Sequence, residues 1–163
     1  MKMDTKKLQL MPFEPTIEWW RHCLEACGCG ELARQFADDA CWDEILKAHK
    51  KHQVPEVVIE AAVAAIARCK PEHSFIAFTL MRIIGPREEL IDKIIVSENA
   101  QAAYAFCRQF GDHAKLRAVV RDKGDETAAF YYCRDVANDP DMARVVLKGH
   151  NAKLKARFTR EVR

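Results

Sequence analysis

The chain has 163 residues, 49% hydrophobic and 31% charged, which suits one domain or a short repeat array with its own core and excludes a disordered chain. Lys and Arg number 26 against 24 Asp and Glu, so a net charge of +2 selects no partner by bulk electrostatics. Six glycines and six prolines are too few for a loop-rich all-β fold.

Residues 1–14 read as extended or loosely attached, and no apolar run follows Lys6 and Lys7, so no signal peptide is expected. Pro15-Thr16 opens a helix through Cys27, with Thr16 at the N-cap, and Gly28 and Gly30 interrupt it. A short helix is expected over Glu31–Ala37. Asp39 caps another from Ala40 to His52, and Pro55-Glu56 opens Val57–Cys69. The longest apolar stretch, Val57 to Ala67, is broken by Glu60 and too short to span a bilayer. The expectation is a cytoplasmic protein with no membrane contact. Its seven cysteines, an odd number, are expected to be reduced thiols. Residues 1–71 form an irregular helical part.

Residues 72–149 are organised by a repeat. Ala103-Tyr104-Ala105-Phe106-Cys107-Arg108 aligns with Ala129-Phe130-Tyr131-Tyr132-Cys133-Arg134 at a shift of 26 residues, and with Ala77-Phe78-Thr79-Leu80-Met81-Arg82 at the same shift upstream. Three 26-residue units are expected, each of two helices. Ala103, Phe106, Cys107 and Phe110 have the 3/4 spacing of one helical face. The first helix should stop at Gly85, Gly111 or Ala137. The second should start at Pro86, Asp112 or Asp139-Pro140, with Asp at the N-cap. Leu90/Ile94/Ile95, Leu116/Val119/Val120 and Met142/Val145/Val146 should line its inner face. A helix pair this small cannot bury its apolar face alone, so the fold class is all-α, with short two-helix repeats stacked as an α-solenoid or superhelical bundle.

Residues 150–163 form a basic capping helix with Leu154, Phe158 and Val162 as its apolar stripe. Segment 148–163 carries six Lys/Arg and one acid, whereas residues 1–60 carry 8 basic and 11 acidic residues, so charge is polarised along the chain.

The units resemble short α-helical repeats of the HEAT family or of the leucine-rich-repeat-variant family with its shorter unit. The resemblance covers about half the chain, residues 72–149, and implies a scaffold that binds along a concave surface. The variant family is associated with an N-terminal cysteine-bound iron–sulfur cluster, which draws attention to the cysteines here.

Three groups of residues could carry function. Arg82, Arg108 and Arg134 share one repeat position and would form a row in a regular stack. Guanidinium forks match carboxylate or phosphate, so the row suits an acidic protein strip or a nucleic-acid backbone. Internal pairing with Asp92, Asp112, Asp122 or Asp135 is the alternative, since residues 61–147 balance 12 basic against 12 acidic residues. Lys153, Lys155, Arg157 and Arg160 on the last helix form the second group, able to dock an acidic protein groove or phosphates. The third is Cys23, Cys27 and Cys29 beside His22, whose thiolates and imidazole are zinc or iron–sulfur ligands, although no CxxC is present. Otherwise Cys23 and Cys27 are core residues beside Trp19 and Trp20.

No GxSxG, Walker loop, GxGxxG or HExxH occurs, and serine stands only at Ser74 and Ser97, so no enzyme is expected. His49 and His52 with Asp43 or Glu44 are the one acid/base grouping. The preferred expectation is a non-catalytic protein-binding scaffold or inhibitor, of the kind a virus or mobile element aims at a host complex, with no resident cofactor. Nucleic-acid binding and metal binding are the alternatives.

Overall fold

The protein's structure, a computed structural model, describes residues 17–36, 42–68, 70 and 73–162. Among them are eleven α-helices and no strand: α1 (Ile17–Ala26), α2 (Gly30–Gln35), α3 (Trp42–Lys50), α4 (Glu56–Arg68), α5 (Ser74–Ile84), α6 (Glu88–Ser97), α7 (Ala100–Phe110), α8 (Ala114–Lys123), α9 (Glu126–Asp135), α10 (Pro140–Lys148) and α11 (Ala152–Glu161). The fold is all-α, as the periodicity predicts. The expectations for residues 1–14, the Thr16 and Asp39 caps, Cys41 and Cys69 lie outside the described residues. No described helix is long and apolar enough to cross a membrane.

The sequence interval reappears in the helices. The odd-numbered helices α5, α7, α9 and α11 begin at residues 74, 100, 126 and 152, each 26 after the last; α6, α8 and α10 begin at 88, 114 and 140, also 26 apart. The chain separates into two compact units, Met1–Leu90 and Ile91–Arg163, with the division inside α6.

In the first unit, α1 and α2 pack together across a turn that needs Gly28 at φ 80, a conformation without cost only for glycine. Cys29 N–H closes this turn by donating to the Leu24 carbonyl at 2.8 Å. The turn ends α1 at Ala26, as the two glycines predict, but Gly30 itself starts α2. Trp19 and Trp20 meet edge to face at 5.3 Å, and Trp20, Cys23 and Leu24 are buried. Helix α4 packs on α5, and its Val58, Ala61, Ala62, Ala65 and Ile66 are all buried. Arg87, in the loop after α5, holds Glu60 of α4 with two parallel bonds of 2.9 and 3.0 Å.

In the second unit each odd helix pairs with the even helix after it: α7 with α8, and α9 with α10. Odd helices also pack on odd ones (α7 on α9, α9 on α11), and α8 packs on α10. Two layers result. The odd starts share one device: Asn99, Asp125 and Asn151 each accept from the backbone N–H three residues on, at 3.0, 2.9 and 3.1 Å. Such a cap satisfies one orphan donor of a helix start and contributes about 1 kcal/mol. These three caps are also 26 residues apart. The interval therefore continues into α11, which occupies the odd-helix place after α9.

Equivalent side chains are buried at four repeat positions, whereas at the aromatic position Phe78 is half-buried and Tyr104 and Phe130 are buried. Ala77, Ala103 and Ala129 are fully buried, as are Leu90, Leu116 and Met142, and Ile94, Val120 and Val146. Met81, Cys107 and Cys133 are buried too. Phe130 of α9 meets Phe158 of α11 at 6.4 Å, and Phe130 and Tyr132 are fully buried. Leu154 and Phe158 of the C-terminal stripe are also buried.

The helix boundaries follow the sequence with four corrections. Pro86 does not open α6, which starts at Glu88 because Arg87 stays in the loop to hold Glu60, and α9 ends at Asp135 with Val136 rather than Ala137 at its C-cap. Gly85 and Gly111 end α5 and α7 at φ 90 and 101, but with ψ 172 and 168, the extended region open essentially to glycine alone rather than the left-handed helical one expected. Asp139 caps α10 as predicted, accepting from Asp141 and Met142 N–H, with Pro140 at the first helical position. Asp112 is not a cap: α8 starts one residue later, behind His113. The Asp112 carboxylate instead accepts from the Tyr132 hydroxyl and from Arg117, the latter at 2.9 Å. Tyr132 is completely buried, so its hydroxyl needs an acceptor more than the helix start needs a cap.

Candidate functional site

The recurring arginine position builds a charged strip across the odd-helix layer of residues 91–163. Arg108, Arg134 and Arg160 stand at the same place on α7, α9 and α11. Asp135 and Glu161 follow two of them directly, again 26 residues apart. Arg134 grips Asp135 with two bonds of 2.6 and 3.0 Å, and the Tyr104 hydroxyl of α7 donates to the same carboxylate at 2.6 Å. Arg108 comes within 3.9 Å of it. On the next helix Glu161 accepts two bonds from Arg157, both 3.0 Å, and one from Arg160 at 3.1 Å, while Arg134 lies 4.0 Å away. The polar chain therefore runs Arg108, Asp135, Arg134, Glu161, Arg160 across three helices, with four guanidiniums on two carboxylates.

The electrostatics reflect this geometry. Arg134 beside Asp135, helped by the Tyr104 hydroxyl, holds that carboxyl below its usual range. Arg157, with Arg160, holds the Glu161 carboxyl down to about 2. Burial, with Asp135 next to it, pushes the Tyr104 hydroxyl up to about 12. Beneath the strip, Arg134 lies over the Tyr131 ring at 4.6 Å and Arg157 over the Phe130 ring at 4.7 Å, with Tyr104 stacked on Tyr131 at 5.9 Å. Cation–π contacts of this kind add about 0.5–1 kcal/mol each at exposed sites, and they fix the direction of the forks. Arg108 and Arg160 remain the outward ends, with side chains 63% and 74% exposed.

The remaining basic residues singled out by the sequence make no ion pair with Asp135 or Glu161 among the described residues. Arg82 is exposed near the end of α5, in the first unit. Lys153 is exposed on α11. Lys155 is half-buried near Glu126, whose carboxylate accepts from the His150 and Asn151 N–H at 2.6 and 2.9 Å and so holds the loop into α11. Of the acids offered as arginine partners, Asp135 is used by the row, Asp122 pairs with Arg121 at 2.7 Å, and Asp112 serves Tyr132 and Arg117. An open cleft of about 430 Å³ lined by Arg121, Asp122, Asp141, Arg144, Val145 and Lys148 lies on α8 and α10, where Arg121 and Arg144 each pair with an acid of their own helix.

Cys23 is buried, and Cys27 and Cys29 are half-buried at the α1–α2 turn. Burial, reinforced by Cys27, pushes the Cys23 thiol up to about 12, and Cys27 is raised likewise by burial and by Cys29. Among the described residues no three His, Cys, Asp or Glu side chains gather as a metal site would need. Burial pushes the Cys107 thiol up to about 11, and the Cys133 thiol, also raised, donates to the Asp139 carbonyl at 3.6 Å. His49 Nδ1 is buried without a hydrogen-bond partner among the described residues. The Asp43 side chain lies outside those described.

Sequence reasoning puts Arg108 and Arg134 in one row, with Asp135 among their possible partners, but assigns Arg157 and Arg160 to a separate group and does not find Glu161, Tyr104 or Tyr131 as parts of the strip. The signal that could find them is the Arg-acid pair repeated at 134–135 and 160–161.

Fold and site together define an all-α protein of adjacent packed helix pairs that presents an arginine–carboxylate strip. No protein-family model, curated protein or solved structure matches the chain.

Proposed function

We propose that this protein is a non-catalytic docking protein, a short-unit helical-repeat scaffold or inhibitor of the HEAT or leucine-rich-repeat-variant kind, which holds a partner protein on its odd-helix face. The observation that carries this reading is the continuous strip from Arg108 through Asp135, Arg134 and Glu161 to Arg160. Isolated exposed ion pairs contribute little to stability, about 0–1 kcal/mol. A strip that orders its forks on aromatic rings, leaves two arginines outward and keeps a positive excess suits recognition better than stabilisation. Arg is also among the residues enriched where interfaces bind hardest.

The test compares wild type with the Arg108→Gln/Arg160→Gln variant in quantitative capture from the native host, with Lys148→Glu as an even-helix control and circular dichroism to verify folding. The reading expects proteins that wild type and Lys148→Glu retain and the double variant loses. Identical capture by all three would overturn it. A gel shift at low salt that the double variant abolishes would move the function to nucleic acid.

A further inference from the structure

We infer that the odd-helix strip of residues 91–163 takes an acidic peptide segment in the polyproline II conformation, with a carboxylate at every third residue. This inference rests on the docking function proposed above and names the chemistry of the partner.

Packed helices lie about 8–10 Å apart, so the backbone positions of Arg108, Arg134 and Arg160 recur across α7, α9 and α11 at about that interval. A polyproline II chain has three residues per turn and rises about 3.1 Å per residue, so side chains at every third position line one face about 9 Å apart. The two intervals match. A β-strand fits that interval less well, because its same-face positions are two residues, about 6.6–6.8 Å, apart. Polyproline II also has no internal hydrogen bonds and is already extended, so it lies across helices with little ordering cost.

The charge pattern selects the same ligand. Each guanidinium fork suits one carboxylate, and four guanidiniums face only two internal acids. Asp135 and Glu161 stand between the arginines, so the strip alternates in sign across the helices. A partner with charges spaced by neutral residues can avoid those acids, whereas the phosphates of a duplex, about 3.4 Å apart along the axis in each strand, cannot. The rings do not serve bases either: Arg134 covers Tyr131 and Arg157 covers Phe130. Binding of single strands uses open aromatic faces. In this arrangement Arg134, fixed by Asp135 and Tyr131, is the centre of the docking line. The more exposed Arg108 and Arg160 are its adaptable ends.

The experiment is a chemical-shift titration of the full chain at low salt, tracking the arginine Nε–H signals. The probe is a Glu-Pro-Pro repeat peptide. Controls are the Gln-Pro-Pro peptide, a peptide of the same composition with its glutamates clustered at one end, and oligothymidylate. The expected result is shifts at Arg108, Arg134 and Arg160. Affinity should fall about 5-fold for the clustered peptide and by a similar factor for the Arg108→Gln/Arg160→Gln variant, consistent with losing two exposed pairs. The inference is overturned by no shift with the Glu-Pro-Pro peptide, by equal binding of the clustered peptide, or by tighter binding of oligothymidylate. If the peptide fails while the double variant still loses captured host proteins, the docking function stands and only this partner chemistry falls. If both fail, the docking function falls too.

Discussion

Replacing Asp135 by alanine removes the acceptor that joins α7 to α9. Three groups converge on it: Arg134 with two bonds, the Tyr104 hydroxyl at 2.6 Å, and Arg108 at 3.9 Å. Tyr104 is buried, so its hydroxyl bond to a charged acceptor counts for about 1.5–3 kcal/mol. The Arg134 side chain is about one-third exposed, so its pair is discounted to about 0.5–1 kcal/mol. Arg108 makes no hydrogen bond to Asp135 at its distance and adds little. Against these stands a gain. Asp135 ends α9, where negative charge opposes the helix dipole, and its removal relieves about 0.5 kcal/mol. The net destabilisation is about 2 kcal/mol, which for a chain of this size lowers Tm by roughly 4–8 °C. Guanidinium and thermal unfolding monitored by circular dichroism measure it. In a double-mutant cycle with Tyr104→Phe, the two losses should overlap by about 1 kcal/mol or more, because they share one bond. A loss below about 0.5 kcal/mol, or strict additivity with Tyr104→Phe, would refute the reasoning.

Further expectations concern caps, protons and thiols. Asn99→Ala and Asn151→Ala should each cost about 1 kcal/mol in denaturant unfolding, and Asp125→Ala more, since Asp125 also accepts from Gln101 at 3.1 Å; a neutral Asp125→Ala would contradict the cap assignment. Glu161 and Asp135 have folded pKa values below their unfolded ones, so their contribution is complete above about pH 4–5 and is lost as pH falls, for Glu161 through about 2. Thermal stability should therefore decline over that window, and less steeply in Glu161→Gln; parallel profiles would argue against the pairing. Cys23 and Cys107, buried and raised to about 12 and 11, should resist a thiol reagent at pH 8 until the chain unfolds, whereas rapid labelling of either in the native state would contradict their placement.

The repeat is legible in the sequence because each side chain that must be buried in every unit recurs at a fixed interval: Ala77/Ala103/Ala129, Leu90/Leu116/Met142 and Ile94/Val120/Val146 are apolar in sequence and buried in the fold. Asp139-Pro140 is legible because capping is local chemistry. The odd-helix character of α11 is harder to see. Its alanine position is Lys155 and its aromatic position is Ala156, so apolar matching stops there, while the cap Asn151 and the buried Phe158 keep the interval. Asp112 reads as a cap because local preference favours one, whereas the Tyr132 hydroxyl arrives from another helix twenty positions away. The Arg87–Glu60 pair, 27 residues apart, is invisible in sequence for the same reason. The arginine row is visible as a column of like charges and its acids as candidates, but which acid it pairs with is not, because that depends on which helix lies alongside. Asp135 answers Arg108 of the previous pair as well as its own neighbour.

Both the strip and its proposed ligand require that α7, α9 and α11 lie side by side in one layer with equivalent positions in register. Ring-to-ring nuclear Overhauser effects report this arrangement. Tyr104 to Tyr131 at 5.9 Å places α7 against α9, and Phe130 to Phe158 at 6.4 Å places α9 against α11. Cross-peaks for both pairs are expected in one folded sample. Their absence, or Tyr104 contacts to α11 instead, would contradict the layer and with it the strip.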